Sequence, residues 1–193
     1  MLAIVAAQSG AGRVTAVDIS RRALLATRLN AMLNGVRVRP VRGDLFAAVP
    51  GERFDVIVTN PPYLVSATEK LPRRGARRAW DAGPLGRTFL DPICAGAHRH
   101  LHPGGVLLLV HSSLCSEQMT VDALAARGYQ VSIVVRHRGP LGQRMRSRAE
   151  MLRRRGLLGD EDVEDILVVR AQWPGGRDER ELADGQPTAE PVF

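Results

Sequence analysis

The residues of this sequence best suited to chemistry form the tetrapeptide Asn60-Pro61-Pro62-Tyr63, which follows the apolar run 54–59. An amide nitrogen is a poor nucleophile because its lone pair is delocalised into the carbonyl. The Asn60 side-chain oxygen and the Pro61 carbonyl could hold both N–H groups and aim the lone pair at an electrophilic methyl group. The prolines fix this backbone, and Tyr63 offers a flat face to a planar group. The alternative is a rigid turn that ends a buried strand.

Two aspartates could bind a nucleoside. Asp18 ends the short apolar run 14–17 and is followed by Ile19 and Ser20. A carboxylate at the end of a parallel strand is the usual ribose ligand of doubly wound folds. Asp44 and Leu45 lie one predicted strand later, where a polar and an apolar side chain could flank an adenine ring. A cap at Asp18 and an ordinary turn at Asp44 remain open alternatives.

Alternating strands and helices must position these residues. Helical patterns occur at 2–9, 21–33, 86–101 and 116–126, and Pro92 is compatible with the third helix if that helix starts near Leu90. Strand patterns occur at 14–17, 36–41, 54–59, 106–110, 131–135 and 166–169. Because the two kinds of element alternate, the sequence predicts an α/β, doubly wound fold with a mostly parallel sheet.

Three stretches interrupt or follow this pattern. Residues 70–84 are predicted to be a long polar loop, and residues 136–165 a basic insertion whose middle, 146–155, is helical. From residue 173 onward, Gly, Pro and acidic residues replace apolar ones, which is typical of disorder. The predicted organisation is a single domain over 1–172 and a disordered tail over 173–193.

The formal net charge of +7 comes from arginine, since Lys70 is the only lysine. Clustered arginines can attract a nucleic acid. The alternative is a solvated basic face, since a GC-rich genome gives an arginine-rich composition without selection for binding. Aromatic residues make up only 4% of the chain, which argues against stacking on single strands. The arginines form two clusters: Arg73, Arg74, Arg77 and Arg78, and then Arg144, Arg146, Arg148, Arg153, Arg154 and Arg155.

Several other classes of protein are disfavoured. No apolar run approaches the roughly 20 residues that cross a bilayer, and the apolar N-terminus has no basic region typical of a signal peptide. Cys94 and Cys115 lack metal-ligand spacing and are expected to be reduced thiols. The five histidines show no ligand spacing either, so no metal site is predicted. We expect a cytoplasmic protein that does not bind membranes.

From Gly10 to about Ala171, the chain resembles the HemK-related class I S-adenosylmethionine-dependent methyltransferases. The resemblance rests on Asn60 to Tyr63 and on the segment Arg78-Ala79-Trp80-Asp81-Ala82-Gly83, followed by Gly86-Arg87. This second segment is similar to the archaeal and eukaryotic branch, whose best-known acceptor is a glutamine of peptide release factors. The resemblance implies a Rossmann-like fold and S-adenosylmethionine as cofactor. It implies cofactor contacts from Asp18, Ile19, Asp44, Leu45 and Asn60, and acceptor contacts from Asn60, Pro61, Pro62 and Tyr63.

The sequence departs from this family at its start. The family begins with a central strand and a loop of the pattern acid-x-Gly-x-Gly-x-Gly, whereas Met1 to Ile4 aligns with residues that follow this loop. We therefore expect an N-terminally truncated chain without the first strand, with weak or absent cofactor binding and poor solubility. A start codon placed too far downstream is favoured over a true fragment.

Three functions follow from these observations. The first is methylation of a glutamine side-chain amide in a protein such as a release factor. The second is methylation of an N6-adenine or another nucleic-acid amino group, since relatives with the same tetrapeptide have that activity. The third is a methyltransferase fold that has become an inactive binding protein.

Trp80 would either pin the polar loop to the core or contact the substrate, and Arg87 could be a surface charge. The sequence does not reveal an activating partner subunit.

Overall fold

A computed structural model describes residues 1–68 and 79–175 of the chain. Helices and strands alternate along these ranges, which gives the predicted α/β class. The helices are α1 (Leu2–Gln8), α2 (Arg21–Leu33), α3 (Leu90–Gly96), α4 (Glu117–Ala125), α5 (Gln143–Arg146) and α6 (Ala149–Arg154). The strands are β1 (Thr15–Asp18), β2 (Arg39–Arg42), β3 (Phe54–Thr59), β4 (Leu101–Ser112), β5 (Gln130–Pro140) and β6 (Val163–Gln172).

The first sheet is a parallel pair of β1 and β2, joined by α2. The Ser20 hydroxyl accepts a hydrogen bond from the Ala23 backbone N–H at 3.3 Å, which begins α2 where the sequence predicts. The helix ends at Asn34, and Gly35 then adopts a positive φ of 63°. Asp18 pairs with Arg42 in the strand register, so both strands end at the same edge of the sheet.

The second sheet has the strand order β3-β4-β6-β5. Strands β3 and β4 run parallel, whereas β6 runs antiparallel to both β4 and β5. Strands β5 and β6 are longer than the hydrophobic runs predict and pair from Gln130↔Gln172 to Pro140↔Val163. Both ends of the predicted insertion 136–165 therefore belong to the paired strands β5 and β6, and residues 141–162 connect these strands. This remaining connection contains α5 and α6.

Two hydrophobic cores stabilise this second sheet. The main core packs α3 and α4 against β4 and β6, and its fully buried residues include Leu90, Leu101, Leu107, Leu109, Leu124 and Val169. The second core joins the connection between β5 and β6 to the segment that follows the Asn-Pro-Pro-Tyr tetrapeptide. It contains Val65, Leu114, Leu141, Met145, Ala149, Leu152 and Leu158. The connection is thus a packed subregion.

Trp173, which the composition assigns to the tail, packs against the main core instead. Its ring lies 5.2 Å from that of Tyr129 and 5.6 Å from that of His98. Its backbone N–H donates to the Gly105 carbonyl at 2.8 Å. The folded chain therefore continues beyond the predicted boundary at 172. The remaining predicted tail, 176–193, and the first arginine cluster, 73–78, lie outside the described residues. Among the residues that are described, no helix is long and apolar enough to span a membrane.

Candidate active site

The acceptor side of the candidate site begins where β3 ends. Asn60 immediately follows this strand and is exposed, while Pro61 beside it is buried. Within the described ranges, the Asn60 side chain makes no hydrogen bond, so its oxygen is available to a ligand. A strand end held by a buried proline and an unengaged amide side chain is suited to fixing a polar planar group.

Tyr63 is held in place by a backbone hydrogen bond and by packing against the main core. Its backbone carbonyl accepts a hydrogen bond from the Cys115 thiol at 3.0 Å, and its ring packs against the main core. Gly86 adopts a positive φ of 69°, and a Cβ added there would lie 2.4 Å from the Tyr63 carbonyl oxygen. Burial raises the pKa of the Tyr63 phenol, and the nearby Glu164 and Cys115 raise it further. Tyr63 is therefore neutral at physiological pH and presents an uncharged ring.

The Cys115 thiol remains a hydrogen-bond donor at physiological pH. Burial raises its pKa to about 12, more than the guanidinium of Arg87 lowers it. Burial likewise raises the pKa of Cys94 to about 11. Both cysteines are free and buried. Their role here is structural, because neither thiolate is accessible near neutral pH.

Arg87 is a buried anchor, and the expectation of a surface charge is wrong. Its side chain is only 3% exposed, and its guanidinium donates to the Cys115 carbonyl at 2.6 Å and to the Thr120 hydroxyl at 3.0 Å. It also forms an ion pair with Asp91 at 2.7 Å. These contacts hold the turn that carries Cys115 and thereby support Tyr63. Because Cys115 and Thr120 lie 28 and 33 residues away along the chain, no local pattern indicates this role.

The donor side lies at the carboxyl edge of β1 and β2. One Asp18 carboxylate oxygen accepts from the Ser20 backbone N–H at 2.7 Å, and the Asp18 carbonyl accepts from the Gly43 N–H at 3.2 Å. Asp44 is exposed and its side chain makes no capping hydrogen bond. One Asp18 carboxylate oxygen thus acts as the predicted cap. The second carboxylate oxygen remains available to a hydroxyl ligand. The structure brings Asp18 and the Gly43-Asp44 turn together.

Leu45 has a left-handed backbone conformation, with φ of 44°. This conformation is uncommon for a branched residue and occurs often at ligand sites. It turns the chain sharply after Asp44, leaving Leu45 and Phe46 packed against the main core. Ile19 is 39% exposed at the end of β1. The predicted cofactor residues Asp18, Ile19, Asp44 and Leu45 thus lie at or just beyond the ends of β1 and β2, at the same edge of this sheet.

Both sides of the site pack against the main core. Leu45 and Phe46 pack against it from the donor side, and Tyr63 packs against it from the acceptor side. The Phe46 ring also stacks on His100, with centroids 4.7 Å apart. Between the described donor and acceptor residues, no hydrogen bond joins Asn60 to Asp18 or Asp44. The two sides are therefore related through packing and not through direct polar contacts.

A cleft of about 380 Å³ opens beside Tyr63. Its lining includes Tyr63 and Leu64 and the segment 142–145 of the connection between β5 and β6. Glu164 also lines it and accepts from the Ser112 hydroxyl at 2.5 Å and from the Gly142 N–H at 3.3 Å. Its position adjoining the tetrapeptide makes this cleft a candidate for the part of the acceptor that flanks the reacting nitrogen.

Trp80 and Asp81 hold the chain that follows the tetrapeptide. The Arg144 guanidinium lies 4.0 Å above the Trp80 ring, and the Trp80 carbonyl accepts from the Leu64 N–H at 2.8 Å. Asp81 is only 1% exposed and forms an ion pair with Arg148 at 2.8 Å. These contacts favour the expectation that Trp80 pins the loop. No group of three or more potential metal ligands occurs in the part of the chain that is described.

Comparisons with known proteins place this chain in a family. Residues 1–73 match the family model of the methyltransferase small domain. A protein of Methanocaldococcus jannaschii, assigned as a protein N5-glutamine methyltransferase, is 34% identical over 145 residues, which cover 75% of this chain and 73% of the relative. The release factor glutamine methyltransferase of Deinococcus radiodurans is 42% identical over 100 residues, covering 50% of this chain but only 36% of that enzyme.

The fold of the chain is shared with solved methyltransferases. A methyltransferase from Pyrococcus furiosus superimposes with a TM-score of 0.55 over 90% of this chain and 69% of that one, at 19% identity. This similarity confirms the predicted Rossmann-like fold, and the sequence relatives confirm the predicted family and its cofactor, S-adenosylmethionine. The chain belongs to the class I S-adenosylmethionine-dependent methyltransferases of the protein glutamine N5-methyltransferase family.

Proposed function

We propose that this protein transfers a methyl group from S-adenosylmethionine to the side-chain nitrogen of a glutamine in a protein substrate. The cofactor supplies an electrophilic methyl on a sulfonium. The new bond joins this carbon to the amide nitrogen as the carbon–sulfur bond breaks, the electron pair of that bond stays on the sulfur of S-adenosylhomocysteine, and the nitrogen releases one proton to water. The observation that carries the proposal is the exposed, unengaged Asn60 side chain at the end of β3, next to buried Pro61.

Asn60 and Pro61 would act on the amide of the acceptor. The Asn60 side-chain oxygen and the Pro61 carbonyl would accept its two N–H groups, which fixes the nitrogen and turns its lone pair toward the methyl group. The ring of Tyr63 would pack against the amide plane, and Pro62 would restrict the backbone between them. No general base has to remove a proton from the amide before methyl transfer, since the nitrogen is positioned first and loses its proton afterwards.

Asp18, Ile19, Asp44 and Leu45 would hold the adenosine portion of the cofactor. The Asp18 carboxylate would accept hydrogen bonds from the ribose hydroxyls, as expected for an acid at the end of a parallel strand. Asp44 would meet the polar edge of the adenine, and Ile19 and Leu45 would cover its faces. Asn60, between the two sides, would contact cofactor and acceptor. We place the reaction in the cytoplasm, where the free thiols of Cys94 and Cys115 stay reduced.

A protein acceptor is favoured over a nucleic acid by what the arginines of the second cluster contact. Arg148, Arg153 and Arg154 form ion pairs with Asp81, Asp162 and Glu150. Arg155 and Arg146 donate to backbone carbonyls, and Arg144 lies over Trp80. Guanidinium groups that already have a partner on the same chain are less available to phosphates. The names of the relatives also favour protein acceptors.

The test is to identify the methylated product. The full chain is incubated with methyl-labelled S-adenosylmethionine and either a release factor carrying a Gly-Gly-Gln motif or total RNA and DNA. We expect a single methyl group on the motif glutamine by tandem mass spectrometry, and none on a release factor with that glutamine replaced by asparagine. Label only in RNA or DNA would favour the nucleic-acid alternative. Cofactor binding without any transfer would favour an inactive binding protein.

A further inference from the structure

The chain immediately after Tyr63 is paired with the segment 80–83. The Leu64 N–H donates to the Trp80 carbonyl at 2.8 Å, and the Ala82 N–H donates back to the Leu64 carbonyl at 2.9 Å. The Ser66 N–H then donates to the Gly83 carbonyl at 2.9 Å. Within the described residues, the carbonyls of Val65, Ser66 and Ala67 have no partner in this short parallel pairing, so that another part of the molecule has to satisfy them.

Two arginines from the β5–β6 connection satisfy these carbonyls. Arg148 donates to the Val65 carbonyl at 2.6 Å and to Asp81 at 2.8 Å, so that a single guanidinium joins both paired segments. Arg155 donates to the carbonyls of Ser66 at 3.0 Å and Ala67 at 3.1 Å. We refer to Arg148 and Arg155 together as the arginine clamp. A planar guanidinium can donate to two acceptors at fixed angles, which a lysine cannot do.

Arg148 acts on a buried region. Val65 is fully buried in the second core, against residues of the connection that include Leu141, Met145 and Leu152. Asp81 is 1% exposed, and Arg148 is an ion-pair partner of its buried carboxylate. Because the contact is shielded from water, the Arg148–Asp81 pair is more directional and less screened by salt than the exposed pairs elsewhere on the chain.

Two of the segments that the arginine clamp connects also line the cleft beside Tyr63. Leu64 lines the cleft and is tied into the pairing with 80–83, while the segment 142–145 also lines it and leads into α6, which Arg148 precedes. We propose that the arginine clamp sets the width of this cleft and so positions the acceptor chain that flanks the methylated amide. Arg148 and Arg155 are thus positioning residues for the methyl acceptor, an inference that rests on the proposed function.

The test compares Arg148→Ala and Arg155→Ala with a matched control, Arg154→Ala. Arg154 lies in the same helix as an exposed partner of Glu150 and contacts none of the described residues that line the cleft. In the full chain, we expect each clamp variant to raise the KM for the protein acceptor about tenfold or more, with kcat less affected and the Kd for cofactor unchanged. Arg148→Lys should restore part of the loss, since one of the two contacts can be kept. Arg154→Ala should match wild type.

Amide hydrogen exchange gives a second readout that needs no acceptor. Arg148→Ala should speed exchange at Leu64, Ser66 and Ala82, and Arg154→Ala should not. An unchanged acceptor KM in a folded Arg148→Ala or Arg155→Ala protein would overturn the proposal. If the wild-type protein methylates no glutamine, the proposed function fails instead. Equal amide exchange rates in Arg148→Ala and Arg154→Ala would then overturn the arginine clamp as well. Faster amide exchange in Arg148→Ala alone would support the arginine clamp. Arg155, which is exposed, keeps the test usable if Arg148→Ala does not fold.

Discussion

The N-terminal pair of strands, residues 1–42, and the four-stranded body, residues 54–68 and 79–175, differ in how they are held together. In the N-terminal pair, only Ile4 and Ala31 are buried hydrophobic residues. Its exposed large apolar side chains are Met1, Leu2, Val5, Val17, Ile19, Leu25, Leu29, Met32 and Leu33. The body contains two cores and most of the fully buried leucines.

The two sides of the candidate site are therefore stabilised in different ways. The acceptor side is fixed by the packing of the body itself, through Cys115, Arg87 and the arginine clamp. The donor side is carried by a pair of strands that buries little apolar surface, and such a region opens locally at low free-energy cost. A ligand that binds only the folded form should therefore stabilise the donor side most.

The largest effect is expected from Gly86→Ala, which breaks the support of the acceptor side. The added methyl would meet the Tyr63 carbonyl oxygen at 2.4 Å and the Cys115 sulfur at 2.6 Å. Together with the positive φ, this should cost about 3 kcal/mol of unfolding free energy and abolish transfer. Gly156→Ala is the matched control, since Gly156 has a similar φ of 67° in open space. It should cost about 1 kcal/mol in urea unfolding. Equal losses for the two variants would contradict this account of Tyr63.

The comparison of the two regions is tested directly by one leucine from each. Leu109 is fully buried in the main core, whereas Leu29 on α2 is 48% exposed. Leu109→Ala should lower the unfolding free energy by about 2–5 kcal/mol because it leaves a cavity. Leu29→Ala should change it by no more than about 0.5 kcal/mol. Chemical denaturation measures both, and a Leu29→Ala effect equal to that of Leu109→Ala would show that the N-terminal pair is as well packed as the body.

Asp18→Ala should weaken the donor side alone. Loss of a carboxylate that accepts from ribose hydroxyls is expected to raise the Kd for S-adenosylmethionine about 10- to 100-fold, since hydrogen bonds to charged groups contribute about 1.5–3 kcal/mol. The acceptor KM should not change at saturating cofactor. Asp55→Ala, at an exposed carboxylate on β3, is the control. Calorimetry would refute the role of Asp18 if both variants bound the cofactor like wild type.

The smallest effect concerns the pH dependence of stability. Burial raises the pKa of Cys115 from 9.0 to about 12, so the folded state keeps the thiol proton that the unfolded chain releases. Stability present below pH 9 should therefore be lost as the pH rises toward 12. Replacing Cys115 with Ala should make this decline shallower by up to about 1.4 kcal/mol per pH unit in denaturant titrations. Parallel pH profiles for the two proteins would contradict burial as the cause.

Local features of the fold could be predicted from the sequence, and long-range ones could not. The bounds of α2 and β3 follow from a serine cap, a glycine stop and an uninterrupted apolar run, and Asn60 follows from its place after β3. The antiparallel β6 and the length of β5 depend on pairings between distant residues whose polar side chains hide the strand pattern. The burial of Arg87 and the contacts of Arg148 were also hidden, because an arginine whose partner lies far along the chain looks the same in sequence as a solvated one.

In the proposed mechanism, Asn60 fixes the acceptor amide and does not build the fold. The most direct measurement is the rate of glutamine methylation by Asn60→Ala, together with its Kd for S-adenosylmethionine and its urea unfolding midpoint. We predict a rate reduced about 100-fold or more, because a displaced amide no longer aims its lone pair at the methyl group, with cofactor affinity within about tenfold of wild type and an unchanged midpoint. A folded Asn60→Ala protein that methylates glutamine at the wild-type rate would contradict the account.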